Sequence, residues 1–403
     1  MNLISVDAAY RLLLQDAAPI GRTEELPLGL AAGRVLASDL VALRTQPSFD
    51  ASAMDGYAVR SADLASGPMP LRLIGEAAAG RAFDGAVGPG ETVRIFTGAP
   101  VPAGADAILV QEDATVDPSG RILPGKTVVE RQHVRFAGVD FREGDALLRG
   151  GMFLSPGAVA LAASGGHPTV MVRRRPRVAI LATGDELVPP GVTPGPAQIV
   201  ASNGFGVAAM VAAAGGEALD YGIAPDDRAA IGARLDQALV DGADIVVTIG
   251  GASVGDHDLV GSVFAARGVM LDFWKVAMRP GKPLMAGRLD DMRIVGLPGN
   301  PASSMVASLL FLAPLVSRLA GRADGARYQN GTLGADVPEN GERTDFVRSV
   351  VTIAEDGTTT VTPLPRQDSS LLSIYAHAQG LLVRPPGAAP AATGEPCRYV
   401  PLG

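Results

Sequence analysis

The most constraining feature of this sequence is the alternation of strand and helix patterns between Arg177 and Arg322. Short apolar runs with the length of buried strands begin at four places, Val178, Asp244, Val269 and Arg293. Helical stretches lie between and after these runs, and Asn203 is expected to cap the first of them. Because strands that alternate with helices form a mostly parallel sheet covered on both faces, this region predicts a three-layer α/β domain.

The regions on either side have different patterns. Residues 47–140 contain short apolar runs broken by Gly and Pro, which predicts a β-rich lobe. Ser5–Gln15 and Ser155–Ser164 have helical patterns. From residue 325 onward helix signals vanish, and two apolar strands flank the turn Glu355-Asp356-Gly357, which indicates an all-β end domain.

Composition excludes several classes of protein. The chain of 403 residues has 34 basic and 42 acidic side chains, whereas a non-specific nucleic-acid binder normally has a basic face. A single cysteine, Cys397, excludes a disulfide framework and a cysteine-rich zinc site. The N-terminus lacks the basic region of a signal peptide, and no apolar run approaches the ~18 residues of a membrane span. We therefore predict a cytoplasmic protein without nucleic-acid or membrane partners.

Three polar, glycine-rich loops each follow a predicted strand of the α/β domain. They are Thr183-Gly184-Asp185-Glu186, the loop from Gly250-Gly251 through Ser253 to Asp258, and Pro298-Gly299-Asn300-Pro301-Ala302-Ser303. Ligands of open α/β sheets bind beyond the carboxyl ends of the strands, so three such loops on one edge would build one crevice. Glycine lets the backbone approach a ligand, and N–H groups at helix starts bind anions. The acids in the loops would suit a bridging Mg²⁺, although each loop alone also fits an ordinary turn or helix cap.

The distribution of lysine singles out one further segment. Of the 34 basic residues 31 are arginine, and the lysines are Lys126, Lys275 and Lys282. The last two, together with Arg279, lie in one short stretch between the second and third loops. Because a compact ammonium suits phosphate or another tetrahedral oxyanion, this stretch predicts an anion site; a solvated basic strand end is the alternative.

Taken in order, these motifs resemble the molybdopterin molybdenumtransferase family, which includes MoeA and the E domain of gephyrin. The matching segments are 52–60 (SAMDGYAVR), 94–111 (RIFTGAPVPAGADAILVQ), 183–187 (TGDEL), 250–258 (GGASVGDHD), 275–283 (KVAMRPGKP) and 296–303 (GLPGNPAS). The resemblance implies a multidomain α/β protein with four domains: a helical linker and dimerisation domain (1–46 and 141–175), a β-rich lobe (47–140), a molybdopterin-binding α/β domain (176–324) and a C-terminal β-barrel (325–403). It also implies a homodimer with the active site near the subunit interface.

The activity that the resemblance implies is insertion of molybdate into adenylylated molybdopterin (adenylyl-molybdopterin), with release of AMP and a requirement for Mg²⁺. The implied catalytic residues are Asp55, Thr97, Asp140, Glu186, Asp258 and Lys275. The residues expected to bind the substrate are Arg135, Thr183, Gly184, Asp185, Gly250, Gly251, Ser253, Arg279, Lys282, Pro298, Gly299, Asn300, Pro301, Ser303, Arg348 and Ser369. The metal is assigned to Glu186, Asp226 or Asp227, and Asp258. A molybdopterin adenylyltransferase and molybdoenzyme maturation factors are the expected partners.

The sequence departs from the family pattern at a few positions. Arg279 stands where a second lysine is usual, and Asp368 stands where glycine is usual, directly before Ser369. Two other functions remain as alternatives: a nucleotide pyrophosphatase or amidase built on the same α/β domain, and a non-catalytic scaffold. The first would need neither residues 52–60 nor the C-terminal barrel, and the second would not need the loop acids and Lys275.

Overall fold

The computed structural model describes residues 3–251, 259–323 and 328–402. The chain divides into two compact units, one of residues 25–172 and one that joins residues 1–24 to residues 173–403. The boundaries of the four smaller domains predicted above stay a prediction.

The first part of the chain contains short strands and few helices. Its elements are α1 (Val6–Leu14), β1 (Thr23–Pro27), β2 (Leu40–Val41), β3 (Ala51–Ser52), β4 (Gly56–Val59), α2 (Ser61–Leu64), β5 (Arg72–Ala77), β6 (Glu91–Ile95), β7 (Ala107–Val110), β8 (Ala114–Val116), β9 (Ile122–Pro124), β10 (Val134–Arg135), β11 (Ala146–Leu148), α3 (Pro156–Ser164) and β12 (Thr169–Arg173). Ser5 and Ser155 cap α1 and α3 by accepting from the N–H groups of Ala8 and Ala158, so both predicted helices are confirmed.

A four-stranded sheet of order β5-β6-β4-β7 is central to the unit of residues 25–172. Separate apolar clusters pack on it, one containing Ile95 and the other Leu109. A Cβ atom at Gly56 would overlap the carbonyl oxygen of Leu109, so the close approach of β4 and β7 requires glycine there. The Asp55-Gly56 pair is therefore constrained by strand packing as well as by the turn that precedes β4.

The second part of the chain contains the longer elements. They are β13 (Arg177–Thr183), β14 (Leu187–Val188), β15 (Ile199–Val200), α4 (Asn203–Ala213), β16 (Glu217–Ala224), α5 (Arg228–Val240), β17 (Ile245–Ile249), α6 (Leu259–Ala266), β18 (Met270–Trp274), β19 (Met278–Arg279), β20 (Met285–Leu289), β21 (Met292–Leu297), α7 (Pro301–Ala307), a π-helical segment (Ser308–Leu312), α8 (Ala313–Leu319), β22 (Gln329–Leu333), β23 (Thr344–Ile353), β24 (Thr359–Pro363), α9 (Leu372–His377), β25 (Gly380–Arg384) and β26 (Pro396–Pro401).

The α/β domain has the expected three layers. Its sheet has the order β16-β13-β17-β21-β20-β18, with β16, β13, β17 and β21 parallel and the β20 pairings antiparallel. Alternate residues of β13 face opposite sides: Ile180 packs in a cluster with α1, α4 and α7, and Leu181 packs in a cluster with α5 and α6. Helices therefore cover both faces, as the alternating sequence pattern predicted.

The C-terminal region is a closed five-stranded β-barrel, in which β23, β24, β22, β26 and β25 follow one another and β25 pairs with β23. The predicted hairpin around Asp356 joins β23 to β24. Leu382 faces the barrel interior with Val361, whereas its neighbour Leu381 packs with the α/β core. The barrel and the α/β domain thus share one hydrophobic cluster, to which α1 also contributes.

Some local predictions were wrong. Asn203 is the first residue of α4 rather than its cap, and strand β16 was missed because its polar positions hide the apolar run. Helix α9 lies in a region where no helix was expected.

Residues 301–319 form one helix that, by length and composition alone, could cross a membrane. Of its most apolar 18-residue stretch, 72% is buried inside the structure.

Candidate functional site

The register of the central sheet aligns the ends of several strands, so the predicted loops that follow these strands lie side by side. Thr248 pairs with Leu181 on one side and with Gly296 on the other, and Gly296 pairs with Met285, which in turn pairs with Trp274. The strands that end in the loops at 183, 250, 298 and 275 all run in the same direction. Their carboxyl ends therefore meet at one edge of the sheet, where open α/β folds bind ligands.

The glycine-rich loops touch one another at this edge. The N–H of Gly250 donates to the carbonyl of Leu297 at 3.2 Å, and a Cβ atom at Gly250 would lie 2.7 Å from the carbonyl oxygen of Thr183. Gly299 lies against Gly250, since its ideal Cβ position is 3.6 Å from the Gly250 Cα. Gly250 and Gly251 have φ values of 95° and 64°, a region that glycine adopts readily. The described parts of the three loops, represented by Thr183, Gly250 and Gly299, thus meet at one place and present backbone there.

Asn203 and Ser369 also join this crevice. Asn203 Nδ2 donates to the carbonyl of Gly299 at 2.7 Å, and Asn300 Nδ2 donates to Ser369 Oγ at 2.9 Å. The N–H of Ala302 donates to the carbonyl of Ser369 at 3.0 Å, so the barrel segment is tied to the start of α7. The sequence predicted only a helix-capping role for Asn203, because its contact with Gly299 joins residues 96 positions apart.

A group of acids lies at the β13 end of the crevice. Asp226 and Asp227 follow β16, the neighbour of β13, and the N–H of Asp226 donates to Asp185 Oδ1 at 3.1 Å. Glu186 folds its carboxylate back over Gly184. Asp227 caps α5 by accepting from the N–H of Ala230 at 2.8 Å. Because strand β16 was not predicted from the sequence, the position of these two aspartates beside β13 was not predicted either.

The donor set of these acids suits one kind of metal site. Among the described residues no cluster of three or more His, Cys, Asp or Glu side chains could enclose an ion. Asp185, Glu186 and Asp226 are nevertheless exposed carboxylates in neighbouring loops. Mg²⁺ commonly binds one or two carboxylates together with substrate phosphates, so the residues present fit a metal that arrives with a phosphate ligand. Asp258 and Ser253 lie outside the described residues.

The lysine-bearing segment folds as a narrow loop after β18. The N–H of Lys275 donates to the carbonyl of Leu284, and the N–H of Val276 donates to the carbonyl of Lys282, both at 2.9 Å. Lys275 Nζ lies 4.3 Å from the centroid of the Trp274 ring. The third lysine, Lys126, pairs with Asp113 at 2.7 Å in the other unit. The two lysines that the sequence singled out therefore stand on one loop at the ligand-binding edge.

Two arginines of the predicted site have partners from the barrel. Arg279 lies opposite Asp345 in the short pairing of β19 with β23, and its guanidinium bonds to the Asp345 carboxylate. Arg348 is fully buried; its Nη2 donates to the carbonyl of Asp368 at 3.2 Å, while Nε and Nη1 have no hydrogen-bond partner among the described residues. Burial lowers the pKa of Arg348. A buried guanidinium with spare donors is suited to an anion.

Residues 25–172 hold the other part of the predicted site. Asp55 Oδ1 accepts from both the N–H and the hydroxyl of Thr97, each at 2.7 Å. These two bonds, with the charge of Arg94, hold the pKa of Asp55 below its ordinary value. Arg94 stacks on Tyr57 and on Phe96 and donates to the carbonyl of Gly56. The Asp55 carboxylate is therefore fixed in place and kept ionised.

Arg135 and Asp140 are less closely tied to that carboxylate. Arg135 pairs with Ala51 in the ladder of β10 and β3, four residues before Asp55. The N–H of Asp140 donates to the carbonyl of Gln46 at 3.2 Å. Both side chains are exposed. The structure thus joins Asp55 to Thr97 directly and leaves the roles of Arg135 and Asp140 as predictions.

A groove of about 520 Å³ lies beside the crevice, between β16, α4 and residues 189–201. Its lining includes Ile180, Phe205 and Ile223 and is mostly apolar, with Asp220 as its charged residue. Its volume is that of a small-molecule site. Because the charged residue among its lining is negative, the groove is poorly suited to an anion.

Models of three protein families match successive parts of the chain. They describe the MoeA N-terminal region (domain I and II) at residues 4–166, a probable molybdopterin binding domain at residues 179–318, and the MoeA C-terminal region (domain IV) at residues 330–402.

Individual relatives match nearly the whole chain. The molybdopterin molybdenumtransferase of Haemophilus influenzae is 34% identical over 386 residues, which is 94% of each chain. Molybdopterin molybdenumtransferase 2 of Mycobacterium tuberculosis strain H37Rv is 36% identical over 384 residues, 92% of each chain. The crystal structure of the molybdopterin biosynthesis MoeA protein from Pyrococcus horikoshii OT3 covers 99% of this chain and 100% of its own, with a TM-score of 0.82 and 28% identity. The chain therefore belongs to the MoeA family of molybdopterin molybdenumtransferases.

Proposed function

We propose that this protein is a molybdopterin molybdenumtransferase of molybdenum cofactor biosynthesis, which inserts molybdate into adenylylated molybdopterin and releases AMP. The observation that carries the proposal is the meeting of the glycine-rich loops and the Lys275 loop at one edge of the sheet. Such a substrate is a polyanion with a pyrophosphate and a dithiolate. Backbone N–H groups, ammonium groups and a guanidinium are the groups that hold such anions. The soft sulfur ligands for molybdenum belong to the substrate, so the protein need not supply cysteine.

Each part of the crevice has a separate task in this proposal. The loops at Thr183, Gly250 and Pro298 bind and orient the phosphates and exclude water, which lowers the entropic cost of the reaction. Lys275 and Arg348 hold the oxyanion groups. Asp55 belongs to the other unit, residues 25–172, and its task is assigned separately: the carboxylate, kept ionised by Thr97, accepts a proton.

A magnesium ion would be held by Asp185, Glu186 or Asp226 together with the substrate phosphate. When bound, it would act as a Lewis acid on the phosphoanhydride and stabilise the charge that develops when this bond breaks. The requirement for magnesium can be tested separately from the transfer reaction. AMP release measured with and without EDTA, and with MgCl₂ added back, should fall on chelation and recover on addition.

The transfer reaction has a direct test. Purified protein mixed with adenylylated molybdopterin, molybdate and MgCl₂ should release AMP and produce cofactor that reconstitutes an apo-molybdoenzyme. Absence of both products would contradict the proposal. Binding of the substrate without turnover would instead support a scaffold, and AMP release without cofactor would support a pyrophosphatase.

We further propose a homodimer in the cytoplasm that receives its substrate from a molybdopterin adenylyltransferase and passes its product to molybdoenzyme maturation factors. Membership of the family supports this assembly. Sedimentation equilibrium should give about twice the chain mass of 41.1 kDa. A mass that stays at that of one chain across the concentration range would argue against the dimer.

A further inference from the structure

The aromatic side chain next to Lys275 has no role in the proposal so far. Trp274 is the one tryptophan of the sequence, and it is the last residue of β18. Its ring faces the Lys275 ammonium, with Nζ 4.3 Å from the ring centroid. Indole is the best aromatic partner for a cation, because its face carries the largest negative potential.

The backbone of Lys275 is fixed on both sides. Its φ is 71°, which is uncommon for a residue other than glycine. The N–H donates to the carbonyl of Leu284 at 2.9 Å, and the carbonyl accepts from the N–H of Ile4 at 3.3 Å. These bonds set the direction in which the side chain leaves the loop. The four-carbon stem remains flexible, so a further contact is needed to hold the ammonium.

The cations of this protein differ in what holds them. The guanidinium of Arg279 is paired with the Asp345 carboxylate, whose side chain is 9% exposed, and Lys126 is paired with Asp113. A carboxylate partner competes with an anionic ligand for the cation that it holds. Among the described residues no carboxylate forms an ion pair with Lys275. Within the described part of the chain, the contact that holds the Lys275 ammonium is thus with an aromatic ring, which carries no formal charge.

We propose that Trp274 is a positioning residue of the transfer reaction, whose ring holds the Lys275 ammonium in place for molybdate or a substrate phosphate. This inference rests on the proposed function, since it assumes that the crevice binds oxyanions. The Trp274 indole nitrogen is buried and has no hydrogen-bond partner among the described residues. The contact with Lys275 is therefore made by the ring face and not by the indole N–H. A phenylalanine at this position should keep most of that contact.

The first test compares Trp274→Phe with Trp274→Leu. The KM for molybdate should rise roughly 3- to 10-fold in the leucine variant, the usual range for losing a cation–π contact, with a smaller change in kcat. The phenylalanine variant should stay within about twofold of wild type, because it keeps an aromatic face. Tyr328→Leu is the matched control: it removes the ring that lies 4.4 Å from Arg398 in the barrel and should leave both constants unchanged.

A second measurement does not depend on turnover or on how the Trp274 variants fold. Because there is one tryptophan, its fluorescence reports this contact directly. Lys275→Met should change the emission of the protein without substrate, and titration with molybdate should change the emission of wild type but not of this variant. An identical spectrum in Lys275→Met would show that the contact is not made and would overturn the inference.

The outcomes separate the two proposals. If wild type neither binds molybdate by calorimetry nor releases AMP, the proposed function fails. Two results with an active wild type would contradict only the role of Trp274. One is an unchanged KM for molybdate in the leucine variant, and the other is a KM that rises as much in the phenylalanine variant as in the leucine variant. Thermal unfolding of each variant identifies any loss that comes from misfolding.

Discussion

At the scale of single residues, the charged groups of the predicted site differ in the contacts that hold them. Thr97 uses both of its donors on one oxygen of Asp55, which leaves the other oxygen of that carboxylate for a ligand. Asp345 occupies Arg279, whereas Trp274 only positions Lys275. Arg279 therefore has a carboxylate partner, whereas the contact of Lys275 within the described residues is with an aromatic ring.

Replacing Thr97 with valine should shift the pH dependence of activity. The hydroxyl of Thr97 lowers the pKa of Asp55, so its loss raises that pKa and the carboxylate becomes protonated at a higher pH. The acid limb of the pH–rate profile should therefore move to higher pH, and kcat should fall on the order of 10- to 100-fold as the carboxylate loses its position. Thr97→Ser keeps the hydroxyl and should behave like wild type; an unmoved acid limb in the valine variant would contradict this role for Thr97.

At the scale of secondary structure elements, the strand ends decide which acids are available. Asp227 is the N-cap of α5, and its Oδ1 is used by the N–H of Ala230. The carboxylate of its neighbour Asp226 forms no hydrogen bond or ion pair with the described residues, although the Asp226 N–H bonds to Asp185. Asp226 is thus the better placed of the two to contact a metal or a phosphate.

Two pairs of variants separate the helix-capping role from the functional one. Asp227→Ala should lower the free energy of unfolding by about 1 kcal/mol, whereas Asp227→Asn keeps a capping oxygen and should be nearly neutral in stability and activity. Asp226→Asn should leave stability unchanged and reduce the activity obtained at limiting Mg²⁺. Urea denaturation and AMP release measure the two properties. An active Asp226→Asn together with an inactive, stable Asp227→Asn would reverse the assignment.

At the scale of the whole molecule, one hydrophobic cluster joins elements that are distant in sequence. It contains Val6 of α1, Ile180 of the sheet, Phe311 of the helix over residues 301–319, and Phe346 and Leu381 of the barrel. Phe311 is fully buried and its ring lies 6.5 Å from that of Phe273. The barrel therefore depends on the α/β domain for part of its packing, and we expect the two to unfold together.

Phe311→Ala tests this shared core. It should lower the free energy of unfolding by about 3–5 kcal/mol, because a large side chain is removed from a packed interior. The transition seen by Trp274 fluorescence and that seen by far-UV circular dichroism should move together. Val240→Ala, at a position of α5 that is 82% exposed, is the control and should change stability by less than about 0.5 kcal/mol. If the unfolding transition shifts in only one of the two signals, the barrel and the α/β domain unfold separately.

The sequence by itself determined most of the secondary structure elements and, through the family resemblance, the expected chemistry. Alternating apolar runs predicted the α/β layers, Ser5 and Ser155 predicted helix starts, and the spacing of the glycine-rich loops predicted the crevice, because these signals are local along the chain. Only the tertiary structure decided which charges remain available. Arg279 meets Asp345, 66 residues away, and the contact of Asp226 with Asp185 depends on the placement of β16 beside β13. The energy of an ion pair depends on the distance between its charges in space. Local sequence patterns give no information on that distance for residues far apart in the chain.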